Sequence, residues 1–233
     1  MSWLKRAPKG PPERQPAVAA ADVSPFVVPD DEQSLDALAD RLKADGTSAA
    51  EQAFVGDPES LDYLGVQLME RGATAAAEAA FRSSAQSGYP RGAFNFAIVL
   101  ARSGRQDEAL RWYEVAAEGG HAGAALALAE RIDGSGDERA AMPWYQRAAE
   151  AGVPAAAYNL GVCHANQGDP AEAERWYRRA AGDGYVPAQT NLGSMLMARG
   201  DLGEARSWLE RARDGGDDLA VRALTHLAGL EAR

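Results

Sequence analysis

Cysteine is almost missing from this 233-residue chain: Cys163 is its one thiol. That excludes an internal disulfide framework and any zinc site built on several thiolates, and it fits a reducing compartment. Histidine is nearly as scarce. His121, His164 and His226 are spread along the chain without the spacing of metal ligands, so no metal and no cofactor is expected. No apolar run approaches the roughly 20 residues that span a bilayer. The N-terminus also lacks the continuous apolar stretch of a secretory signal, so a cytoplasmic protein without an integral membrane segment is expected. Lysine occurs 3 times against 21 arginines, which with abundant alanine matches the composition of a GC-rich, bacterial genome. The net charge of −10 is dispersed among mixed acids and arginines. It favours solubility and argues against a nucleic-acid groove.

Proline is concentrated at one end. Pro8, Pro11, Pro12, Pro16, Pro25 and Pro29 fall within residues 1–31, which read as a disordered tail. Trp3 and Leu4 beside Lys5, Arg6 and Lys9 form a short basic-aromatic patch, enough for marginal contact with an anionic surface at best. Residues 32–56 contain Leu35, Leu38 and Leu42 at helical spacing, followed by Ala53 and Gly56, which lie 32 residues before Ala85 and Gly88. They read as N-terminal capping helices or a degenerate half-repeat.

From residue 57 to 231 the chain repeats itself every 32 residues without an insertion. Trp176-Tyr177, Ala180-Ala181 and Gly184 recur as Trp144-Tyr145, Ala148-Ala149 and Gly152, and as Trp112-Tyr113, Ala116-Ala117 and Gly120. Other columns read Leu64, Phe96, Leu128, Leu160, Leu192, Leu224; Gly72, Gly104, Gly136, Gly168, Gly200; and Ala77, Ala109, Ala141, Ala173, Ala205. A fixed period of this length marks a repeat architecture. Ala93, Phe96, Ala97 and Leu100 form one helical stripe, and Ala109, Trp112, Tyr113 and Ala116 a second. Each unit is therefore a helix A, a turn and a helix B, with glycine where each helix stops. Asp169-Pro170 with Glu172, and Asp201 with Glu204, supply N-cap signals for helix B. Pro143 lies deeper than the first turn of its helix B and predicts a kink or a late start.

The stretch "AAAYNLGVCHANQGDPAEAERWYRRAAGDGYVPAQTNLG" closely resembles tetratricopeptide-type repeats, and "WYRRAAGDG" resembles their Sel-one-like (SLR) relatives. The resemblance is carried by Leu160-Gly161, Gly168, Ala173, Trp176-Tyr177, Ala180-Ala181, Gly184 and Ala188. It implies an all-α, right-handed α-solenoid, here of about five 32-residue helix-turn-helix repeats plus a C-terminal capping helix. It also implies a non-catalytic adaptor or scaffold that holds a peptide or partner domain on its concave face.

Cys163-His164 does not make a nucleophile-base dyad, because neighbours on a helix point about 100° apart. His164 falls in the column of Leu68, Leu100, Ile132 and Leu196 and is expected to be at least half buried, with Cys163 a small apolar filler. The polar column Asn95, Asn159, Asn191 precedes the large apolar residue of helix A. In the related repeats this helix lines the concave surface, and an amide there donates to and accepts from a ligand main chain; the alternative is that Asn ties neighbouring backbone. With Arg91, Arg102, Asn166, Thr190 and Ser194 these residues form the candidate partner-binding face. The expected function is a monomeric protein-interaction adaptor, with an enzyme or enzyme subunit using the groove, or a structural spacer, as alternatives.

Overall fold

A computed structural model describes residues 57–231, which form eleven helices and, among the described residues, no strand. In chain order they are α1 (Pro58–Glu70), α2 (Thr74–Gln86), α3 (Pro90–Arg102), α4 (Gln106–Glu118), α5 (Ala122–Gly134), α6 (Glu138–Glu150), α7 (Pro154–Asn166), α8 (Pro170–Gly182), α9 (Val186–Arg199), α10 (Leu202–Asp214) and α11 (Asp218–Glu231). Odd-numbered helices are helices A and even-numbered ones helices B. The fold class is an all-α solenoid of helix-turn-helix repeats: five pairs and a terminal helix. The tail at residues 1–31, with its basic-aromatic patch, and the capping segment at residues 32–56 lie outside the described residues.

Successive helices start 16 residues apart, so the 32-residue repeat is two halves of equal length. The turn between them explains the equality. At the α8–α9 junction Gly184 takes φ 83°, a conformation that costs side-chain-bearing residues energy. Its N–H donates to Ala181 O at 3.1 Å, and the Tyr185 N–H donates to Ala180 O at 3.0 Å. This pair of bonds is the glycine-terminated Schellman ending. Glycines with φ between 72° and 100° recur at the same 16-residue interval from Gly72 to Gly216.

The helices begin in one of several ways, and α1 and α8 combine an opening proline with an aspartate cap. Pro58, Pro90 and Pro154 open α1, α3 and α7, where the missing N–H costs nothing. Asp137 and Asp169 cap α6 and α8 by accepting from Ala140 N at 3.0 Å and Glu172 N at 3.1 Å. Asp201 does not act this way: its carboxylate accepts from Arg199 Nε at 2.5 Å, and α10 starts without a side-chain cap bond. The expected late start at Pro143 is also absent. Asp137 fixes the beginning of α6 at Glu138, and Pro143 sits on the exposed side of a helix that runs past it to Glu150.

Within each pair, a small residue of helix A meets a large one of helix B. Gly65, Ala97, Ala129, Gly161 and Gly193 occupy one column; Phe81, Tyr113, Tyr145, Tyr177 and Leu209, all buried, occupy the facing one. A Cβ on Gly65 would lie 2.5 Å from the Phe81 ring, one on Gly161 2.8 Å from the Tyr177 ring, and one on Gly193 2.6 Å from Leu209. Ala77, Ala109, Ala141, Ala173 and Ala205 are all fully buried and let the helix axes close in. The described residues divide into two compact units, 57–124 and 125–231, with the boundary inside α5. At the C-terminal end, α11 buries Ala220 and Leu227 and leaves Leu219 and Val221 exposed.

The tryptophan column is not uniform. Trp176 is buried at 5% exposure, whereas Trp112 is half-buried and lies edge-on to Phe96 at 5.3 Å. Trp176→Ala is expected to cost about 3–5 kcal/mol in denaturant unfolding, and Trp112→Ala distinctly less; equal losses would show that burial does not set the difference.

Candidate partner-binding surface

The asparagines of helices A follow a common geometric rule. Asn95 Nδ2 donates to Asp62 Oδ1 at 2.7 Å, and Asn191 Nδ2 reaches the Tyr158 hydroxyl at 3.4 Å, each 33 residues back on the preceding helix A. The equivalent residue for Asn159 is Leu126, which has no acceptor. Asn159 is half-buried and, among the described residues, makes no side-chain hydrogen bond. Two of the three amides thus tie neighbouring repeats together, through side chains rather than backbone, and the third is left with its donors and acceptor unused.

The remaining candidates divide the same way. Arg91 Nε donates to Asp62 Oδ2 at 2.6 Å, so with Asn95 it neutralises and satisfies a carboxylate that is fully buried. Arg91 and Asn95 are inter-repeat struts of the 57–124 unit. Arg102, in the same unit, is exposed at the end of α3. Thr190 is buried and donates to Asp217 Oδ2 at 2.5 Å. Asn166 is exposed and donates to Glu138 Oε2 at 2.9 Å. Ser194, one turn beyond Asn191, is half-buried.

Aromatic residues build the floor around Asn191. Tyr158 is buried, with its ring centroid 5.9 Å from Tyr177 and 5.3 Å from Tyr185. The Tyr177 hydroxyl is buried without a hydrogen-bond partner, and burial pushes its pKa well above the usual phenol value. Burial raises Tyr185 as well. Asp62, Tyr158 and Tyr185 were not among the sequence-derived candidates. Asp62 had a signal: it stands in the column of Phe94, Leu126 and Tyr158, where a lone carboxylate requires a partner.

Cys163 is buried and His164 more than half buried, in accord with packing roles. Among the described residues no group of three or more His, Cys, Asp or Glu is placed to hold a metal ion, and no helix is long and apolar enough to cross a membrane.

The tetratricopeptide repeat profile matches residues 90–114, 154–179 and 186–211, and the Sel1 repeat profile matches residues 124–153. The chain is a helical repeat protein of the tetratricopeptide and Sel1 type. Among solved structures, this repeat protein is similar to c5321, a protective antigen of uropathogenic Escherichia coli displaying an SLR fold. The TM-score is 0.62 at 25% identity over 81% of the chain, which spans 47% of that protein's length. A Sel1 repeat protein from Oxalobacter formigenes also gives 0.62 at 25% identity, over 71% of this chain and 76% of that one. YrrB, a TPR protein with an unusual peptide-binding site, shares the fold, with a TM-score of 0.51 at 21% identity over 71% of this chain and 90% of that one. No curated protein matches the repeat protein in sequence. Repeats of this type are typically non-catalytic scaffolds for protein interactions.

His121 generates a pH test of the 57–124 unit. Its Nδ1 accepts from Ala124 N at 3.1 Å, and its ring stacks on Phe94 at 4.3 Å. Burial, opposed by the nearby Asp62 carboxylate and aided by Arg91, holds its pKa below the ordinary imidazole value. The folded state therefore favours the neutral ring. Its contribution is complete above the unfolded value and falls away as pH drops below about 6.5 toward the lower folded value. Thermal unfolding between pH 8 and pH 5 is expected to show the parent losing stability relative to His121→Asn, which keeps an acceptor but does not titrate. Parallel curves would exclude this linkage.

Proposed function

We propose that the repeat protein is a non-catalytic, monomeric, cytoplasmic adaptor that holds an extended peptide segment of a protein partner on the helix A face of residues 125–231. The observation that carries this reading is the free amide of Asn159. Its counterparts Asn95 and Asn191 are engaged by the preceding repeat, whereas Asn159 follows Leu126 and has nothing to bind within the described residues. A half-buried amide with unused donors and acceptor is the group that recognises a main-chain carbonyl and N–H together.

Asn191 lies at the equivalent place one repeat further, roughly 10 Å away by ordinary helix-packing distance. Its 3.4 Å contact with Tyr158 is long enough to be exchanged for a ligand carbonyl at small cost. Ser194 adds a hydroxyl one turn along, and Tyr185 an aromatic wall beside Tyr158. Asn166 is accessible at the end of α7 once its bond to Glu138 is exchanged. Main-chain recognition by the amides leaves selectivity to these neighbours.

Peptides selected by display on the full chain test the reading. Asn159→Ala with Asn191→Ala is expected to weaken their binding by about 1–3 kcal/mol, the scale of desolvated hydrogen bonds left unmade, with helical content unchanged by circular dichroism. Selected peptides that bind the folded double variant as tightly as the parent would place the contact elsewhere.

A further inference from the structure

One carboxylate on the helix A face of the 125–231 unit has no use in the packing. Glu130 on α5 stands in the column of Val66, Ile98, Val162, Ser194 and His226, where it is the one acid. Its side chain is exposed and, among the described residues, makes no hydrogen bond or ion pair. The surrounding protein nonetheless takes away part of its water. Desolvation first, and the Asp133 charge one turn along the helix second, push its pKa above the ordinary carboxyl value, and no cation offsets either effect. Glu108 and Glu204 show the opposite: hydrogen bonds from Arg105 and Arg178 hold them low. Asp133 is engaged by helix B, where it accepts from the Tyr145 hydroxyl at 3.5 Å. Arg131, next to Glu130 in the chain, is exposed and points about 100° away around the helix. A carboxylate that is open to solvent yet hemmed in by protein lies in a recess, and its missing counter-ion marks a place for a ligand.

The position of Glu130 relative to Asn159 selects the ligand. The bonds of Asn95 to Asp62 and of Asn191 to Tyr158 show where an amide of this column points: at the side chain 33 residues back. For Asn159 that side chain is the half-buried Leu126, and Glu130 follows four residues along α5 on the same face. The rise between these two positions is about 6 Å, within the span of one long basic side chain. Tyr185 is half-buried, and after burial it is the Glu130 charge that raises its pKa, so ring and carboxylate are neighbours. One carboxylate is too few ligands for a metal ion, whereas a lysine or arginine needs a single partner for its head and apolar surface for its stem. We infer that the peptide held on this face carries a lysine or arginine that pairs with Glu130 while its methylenes pack on Leu126 and Tyr185. The inference rests on the adaptor reading of Asn159, which fixes the main chain one helical turn away.

The test selects displayed random peptides on the full chain and, separately, on its Glu130→Gln and Glu130→Arg variants, with folding checked by circular dichroism. Peptides selected on the parent are expected to be enriched in lysine or arginine at one position. The enrichment should vanish on Glu130→Gln and turn to aspartate or glutamate on Glu130→Arg. One selected peptide is then synthesised with its basic residue as found and as glutamine. The exchange is expected to weaken binding to the parent about fivefold or more, the scale of one ion pair, and to leave binding to Glu130→Gln unchanged, which isolates the pair from any general effect of charge. Should Glu130→Arg lose its helical signal, the Glu130→Gln comparison decides alone. Peptides that depend on Asn159 and Asn191 but show no preferred cation, or a cation preference that survives Glu130→Gln, would overturn this inference and leave the adaptor reading standing. Failure to select any peptide on the parent would overturn both.

Discussion

The contact between the small residue of helix A and the ring of helix B is the constraint on which the remaining packing depends. In the fourth repeat, Gly161 leaves no space for a methyl group before the Tyr177 ring and the Ala173 carbonyl are met. This sets the distance between α7 and α8, and that distance places Tyr177 beneath Tyr158 and Asn191. In the second repeat Ala97 stands at this place against Tyr113, and both are buried. The glycine turns recur every 16 residues and the small-residue-to-ring pairing every 32.

Because the core is repetitive, differences between repeats fall on the outward positions of helix A and the ends of helix B. The asparagine column shows how a small difference changes chemistry. With Asp62 or Tyr158 one repeat earlier, the amide is a strut; with Leu126 there, it is free. On helix B one column changes identity along the chain, from Ser83 and Val115 to Arg147, Arg179 and Arg211.

The helical pairs, the glycine stops and the buried alanine columns were legible in the sequence because each rests on contacts repeated in nearly every unit. Less was legible where one-off side-chain contacts decide. Asp201 has the spacing of a cap, but Arg199 two residues earlier takes its carboxylate. Pro143 pointed to a kink or a late start, and the cap at Asp137 removes the late start, with the helix continuing past an exposed Pro143. Arg91 and Asn95 looked available because their partner, Asp62, lies about thirty residues away and is fully buried. Columns reveal what recurs; pairings between unlike residues on neighbouring helices need the fold.

Equilibrium unfolding of Gly161→Val, followed by circular dichroism, tests the controlling role of this contact most directly. A Cβ here would lie 2.8 Å from the Tyr177 ring and 3.2 Å from Ala173 O, and valine adds two methyl groups beyond it. The expected loss is about 1–3 kcal/mol or more, the usual cost of forcing extra methyl groups into a filled core. An unfolding curve superimposable on that of the parent would contradict it, since the helix A to helix B contact would then not control the packing of the repeat.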